Sequence, residues 1–171
     1  MLFTKRQERG DKKDSIALNV YVCSRDTLLQ TLNKINGRVG VVSINDPGTT
    51  PIDPYTQAVY CFFKDTEDET GMSQSDAAHI VSFVRERVSV GCRNIVVQCA
   101  QGISRSAGVA AAILRAYRQD EGKILNDPAY CINGRCYRMT CEAFGLPTST
   151  EDAEMARLQS RAAYLSSWPA S

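Results

Sequence analysis

Apolar residues along this chain follow two rhythms. Short runs rich in β-branched and aromatic residues, at positions 16–22, 39–44, 58–63 and 94–98, read as strands. Between and after them, apolar positions recur every three or four residues, the spacing of one helix face. Leu28, Leu29, Leu32 and Ile35 predict a first helix that Ser24 would cap and Gly37 would end. Ala77, Ile80, Val81, Val84 and Val88 predict a second, capped by Ser73 or Ser75 and closed by Gly91, with the lone His79 a surface or core residue of that helix, not a catalyst. A third spans 106–118 with Gly122 marking its end, and a fourth spans 134–144 with Tyr137, Cys141 and Phe144 turned inward. A last helix, capped by Ser149, places Met155, Leu158, Ala162 and Leu165 on one face, expected to join the core. The run Ile95-Val96-Val97 is apolar without alternation, as in a strand covered on both sides. Strands alternating with helices predict an α/β three-layer sandwich around a mostly parallel sheet of about four or five strands.

Composition adds limits. A chain of 171 residues with 43% hydrophobic content can bury one substantial core, so residues 16–171 are expected to form a single domain. Residues 5–14 mix Lys, Arg, Glu and Asp with almost nothing apolar; residues 1–15 read as a flexible charged tail and lack the apolar segment of a secretory signal. A net charge of +1 gives no reason to expect nucleic acid or an anionic membrane as partner, and no apolar run is long enough to span a bilayer. Seven cysteines, an odd number without close pairs, point to free thiols in a reducing cytoplasm. Cys131, Cys136 and Cys141 stand five apart, without the paired spacing of a zinc site, and no metal or organic cofactor is expected. The expected state is a monomer.

One stretch carries chemistry. Of the seven cysteines only Cys99 has an Arg six residues on, and only there does a strand, a tight loop and a small-residue helix surround the pair. Such a loop can wrap an anion in its backbone N–H groups, with partial positive charge from the helix N-terminus. Gly102 lets the backbone turn where a Cβ would obstruct it. The same field favours an ionised, nucleophilic sulfur at Cys99. Arg105 can grip two phosphate oxygens with its planar fork. The hydroxyl of Ser106 can donate to the sulfur and make it a better leaving group in a second step.

The segment Gln98-Cys99-Ala100-Gln101-Gly102-Ile103-Ser104-Arg105-Ser106 resembles the signature loop of the cysteine-dependent protein tyrosine and dual-specificity phosphatases, His-Cys-x5-Arg-Ser/Thr, with Gln98 where that family has His. Val42-Ser43-Ile44-Asn45-Asp46-Pro47-Gly48 is similar to an element of the compact bacterial branch, a strand ending in Ser-Ile-x-Asp-Pro ahead of the acid-bearing strand. No Trp-Pro-Asp triplet is present, which favours that compact branch over the large tyrosine-specific one. The resemblance implies Cys99 as nucleophile, and Arg105 with the backbone of Ala100, Gln101, Gly102, Ile103 and Ser104 as the phosphate cradle. Ser106 supports the sulfur, and an Asp about thirty residues upstream is the general acid. Asp65, directly after the third strand, is the first candidate for that acid and Asp68 the alternative. The implied substrate is a phosphorylated protein or peptide, phosphotyrosine first and phosphoserine or phosphothreonine second, because no Lys or Arg stands among the five loop residues to meet extra phosphates. Two other readings remain: a phosphate-reading binding module of the same fold, kept alive by Gln98, and a rhodanese- or arsenate-reductase-like enzyme. The latter would want a resolving thiol, for which Cys92 is poorly placed.

Overall fold

A computed structural model describes residues 16–169; the charged segment 1–15 lies outside them. The elements are β1 (Asn19–Ser24), α1 (Leu28–Leu32), β2 (Val39–Asn45), β3 (Gln57–Phe62), α2 (Gln74–Ser89), β4 (Asn94–Cys99), α3 (Arg105–Ala116), α4 (Gly122–Leu125), α5 (Gly134–Ala143) and α6 (Thr150–Ser166). The four strands form one sheet in the order β1-β4-β2-β3, every pairing parallel. Parallel neighbours need crossovers, and crossovers cover both faces. Ile95, Val96 and Val97 of β4, and Val41 and Val42 of β2, are accordingly inaccessible to solvent. Burial of one such aliphatic side chain stabilises the fold by about 1.5–3 kcal/mol.

The two faces are unequal. On the larger one Val42, Ile44, Ile95, Val97 and Cys99 pack with α2 and α3, and α5 lies across those helices with α6 behind it. On the smaller one Cys23, Val41 and Val96 meet Leu28 of the short α1. The expected layering is present, with four strands.

Three boundaries or faces differ from expectation. The first helix begins at Leu28, because Ser24 ends β1 and ties its own backbone and hydroxyl to Thr27 in a turn; it stops at Leu32, and Gly37 lies beyond it. The third helix ends at Ala116: Arg118 takes a left-handed conformation, φ 57°, and Gln119 N–H closes onto Leu114 O at 2.8 Å. Gly122 starts α4 instead of ending α3. The third difference is the face of α6. Met155, Leu158 and Leu165 are 67%, 45% and 51% exposed, while Ala153, Ala156 and Ser160 are buried. Ser160 explains the choice: its hydroxyl accepts from Ile132 N–H at 3.1 Å and donates to Tyr130 O at 3.2 Å. Backbone groups of the turn before α5 would otherwise lack partners, and only small residues allow α6 that close.

Candidate functional site

Four parallel strands bring their C-terminal ends to one rim, where such folds hold ligands. Cys99, the last residue of β4, sits there 2% exposed. Gly102 turns the loop after it with φ +69°; an added Cβ would lie 2.5 Å from the backbone carbon of Cys23 and 2.6 Å from Ser24 N. The loop is thus moulded against the end of β1, and no side chain fits at 102. The loop's carbonyls are engaged outward: Ala100 O accepts from Arg25 N–H at 3.2 Å, Ile103 O from Cys131 N–H and Ser104 O from Asn133 N–H, both at 3.1 Å. A trans peptide points its N–H opposite its carbonyl, so the amides of Gln101, Ser104 and Arg105 open toward the loop's interior. Gly102 N–H donates to Cys99 Sγ at 3.3 Å, and Ser106 Oγ lies 3.0 Å from the same sulfur.

Arg105 opens α3 and is 3% exposed. Its Nη1 donates to Phe63 O and to Asp46 Oδ1, both at 2.8 Å. The ladder from β2 to β3 runs one rung past the strands, through Phe63 N–H to Asn45 O at 3.1 Å. The next rung would need an N–H at residue 47, which is Pro47, so Phe63 O is left for the guanidinium. Nε of Arg105 is buried without a hydrogen-bond partner; Asp65 Oδ2 is 3.9 Å away. A buried cationic N–H without a partner is uncommon in folded proteins and marks this guanidinium as more than a packing group.

Asp65 follows β3 and reaches this cluster. Its Oδ1 accepts from Ser104 Oγ and from Asn133 Nδ2, each at 2.9 Å, and the side chain keeps 39% exposure. Asp68 faces its own loop instead: it accepts from Thr70 N–H at 2.8 Å, Thr70 Oγ1 at 2.6 Å and Thr66 Oγ1 at 3.0 Å. Those bonds, chiefly from Thr70, hold its carboxyl below the usual range. Of the other loop residues Gln101 is exposed, and Ala100, Ile103 and Ser104 are half-buried. Gln98 points to the opposite face from Cys99, and its side-chain carbonyl accepts from Ser43 Oγ at 2.8 Å, with Asn45 Nδ2 on the same hydroxyl at 3.1 Å.

Sequence reasoning did not single out Asp46 or Asn133. Asp46 lies in the Ser-Ile-x-Asp-Pro element, where an acid following a strand end was the available signal. Asn133 carries no local signal beyond its position as N-cap of α5, where Oδ1 accepts from Cys136 N–H at 2.8 Å. Cys92 lies before β4 at the opposite end of the strand from Cys99, its thiol on Arg38 O and Asn94 O. Among the described residues no group of three His, Cys, Asp or Glu gathers as a metal site.

The sheet and helices that carry this loop are arranged as in proteins of known structure. The chain resembles DUSP15 at 16% identity with a TM-score of 0.58, covering 86% of this chain and 93% of that one. Human DUSP28 follows at 16% identity and TM-score 0.50, covering 90% and 98%. PTPMT1, solved in complex with PI(5)P, gives 15% identity and TM-score 0.50, covering 74% and 90%. The fold is that of the dual-specificity phosphatases. In sequence, the family described as the Rit1 DUSP-like domain matches residues 73–142, from the cap of α2 through most of α5 and including the loop. Comparison with curated proteins returns no match. No described helix is long and apolar enough to cross a membrane.

Proposed function

We propose that this chain hydrolyses phosphate monoesters through a phosphocysteine. The Cys99 thiolate attacks phosphorus, the bond to the leaving oxygen breaks, and Asp65 gives that oxygen a proton. Water then attacks phosphorus and breaks the P–S bond, Asp65 takes the proton from the water, and the sulfur leaves as thiolate toward the Ser106 hydroxyl. Through both steps the inward amides and Arg105 hold the non-bridging oxygens. The observation that carries this reading is the approach of the Gly102 N–H and the Ser106 hydroxyl to Cys99 Sγ, in a loop closed by the buried Arg105 with Asp65 beside its guanidinium. Asp65 is preferred to Asp68 because it lies beside Arg105 and Ser104, whereas Asp68 is bound into its own turn. The substrate class we favour is a phosphorylated protein or peptide in the cytoplasm, phosphotyrosine first. PTPMT1 was solved with a phosphoinositide, but the uncharged loop residues here offer nothing for additional phosphates.

The second reading is a phosphate-binding module with little turnover. It draws on Gln98, whose amide serves Ser43 across the sheet and gives the sulfur nothing directly. Hydrolysis of p-nitrophenyl phosphate and of a phosphotyrosine peptide, measured beside Cys99→Ser, separates the two. Turnover by the wild type that vanishes in the variant supports the enzyme. Phosphopeptide binding without turnover in either protein supports the module.

A further inference from the structure

The acid-bearing segment from Asp65 to Met72 is tied at successive points to the first turn of α5. Asn133 Nδ2 donates to Asp65 Oδ1 at 2.9 Å and to Thr66 O at 3.1 Å. The Glu67 carboxylate bridges the next two backbone amides: Oε1 accepts from Gly134 N–H at 2.8 Å and Oε2 from Arg135 N–H at 2.7 Å. Arg135 Nε in turn donates to Met72 O at 2.8 Å, closing the far end of the segment. Three consecutive residues, the N-cap Asn133 and the first two residues of α5, therefore hold the loop along its length. In between, Asp68 folds the loop upon itself through Thr66 and Thr70, and Gly71 packs where an added Cβ would lie 2.5 Å from Thr66 O.

Glu67 supplies the strongest of these ties. Its two hydrogen bonds are charge-assisted, and they satisfy orphan N–H groups at the positive end of a ten-residue helix. A solvated acidic loop would have no such preference. Asp65 stands two residues before this anchor, and Asn133, itself N-cap of the same helix, touches the Asp65 carboxylate. Both of the latter's hydrogen bonds fall on Oδ1, while Oδ2 lies 3.9 Å from Arg105 Nε.

We propose that Glu67 is a positioning residue for the reaction: by latching the loop onto the N-terminus of α5, it sets Asp65 at the cradle before substrate arrives. This rests on the hydrolase reading above. The test is Glu67→Gln in the full chain, compared with the wild type and with Asp65→Asn, on phosphate esters whose leaving groups range from dinitrophenol to tyrosine. The latch predicts a loss of about tenfold in kcat on the phosphotyrosine peptide, a fraction of what general acid catalysis supplies. It also predicts little change on the dinitrophenyl ester, which needs no proton, and an unchanged rate of Cys99 alkylation. A purely structural role would lower both esters together, and that result, or no change on either beside a sensitive Asp65→Asn, overturns the proposal. Amide hydrogen exchange reads the same contact without turnover: Gly134 and Arg135 should exchange faster in Glu67→Gln. Equal exchange in the two proteins overturns the latch whatever the activity. Failure of the wild type to hydrolyse any ester instead removes the hydrolase reading, and the positioning role with it.

Discussion

Asp65 and Asp68 stand three residues apart in a run of carboxylates, and their surroundings separate them. One shares hydrogen bonds with the loop and with α5; the other is spent on Thr66 and Thr70. Asp65→Asn should lower turnover by about 10²–10³ on esters with poor leaving groups and far less on p-nitrophenyl phosphate. Asp68→Asn should leave that dependence unchanged; the reverse pattern in steady-state kinetics would exchange their roles. Gly102 offers a test of the backbone. Gly102→Ala sets a side chain both in a left-handed conformation and against the Cys23 carbonyl, so unfolding in urea should show a loss of about 1–3 kcal/mol. At this scale the legibility of the sequence was uneven. Cys99, Arg105 and Ser106 lie within eight positions of one another and announce themselves by spacing. Asp46 and Asn133 reach the cluster from chain positions far on either side, and nothing local in a sequence encodes such a meeting.

Helix ends and faces divide in the same way. The cap of α2 was readable as Ser73 or Ser75; the structure takes Ser73, which forms a capping box with Asp76. Ser73→Ala should cost about 1 kcal/mol by thermal or urea unfolding. The buried face of α6 was not readable, because counting apolar residues selects Met155, Leu158 and Leu165, whereas the turn before α5 needs a hydroxyl and a close approach. Leu158→Ala should therefore change stability by no more than about 0.5 kcal/mol. Ser160→Val should be markedly worse, since it strands Ile132 N–H and Tyr130 O. The parallel sheet itself was legible from the alternation of strand and helix; the order β1-β4-β2-β3 needed three dimensions.

Across the whole molecule the interior holds thiols that resist ionisation. Burial pushes Cys23 from 9.0 to about 11, Cys61 to about 12 and Cys141 to about 11. The folded state keeps these protons where the unfolded chain would release them. Stability is therefore complete below pH about 9 and is lost as pH rises toward the folded values, by at most about 1.4 kcal/mol per pH unit for each thiol. Urea midpoints taken from pH 8 to 10.5 should fall progressively, and Cys61→Ala should flatten the slope. The rim of the sheet shows how fold and site share one boundary. Pairing of β2 with β3 stops at Phe63 for want of a single proton donor, and the carbonyl so released steadies the guanidinium. Restoring an amide with Pro47→Ala would let the sheet zip one rung further in competition with Arg105. The expected signature is weaker vanadate binding by a protein no less resistant to unfolding, a case in which the sheet grows at the expense of the cradle.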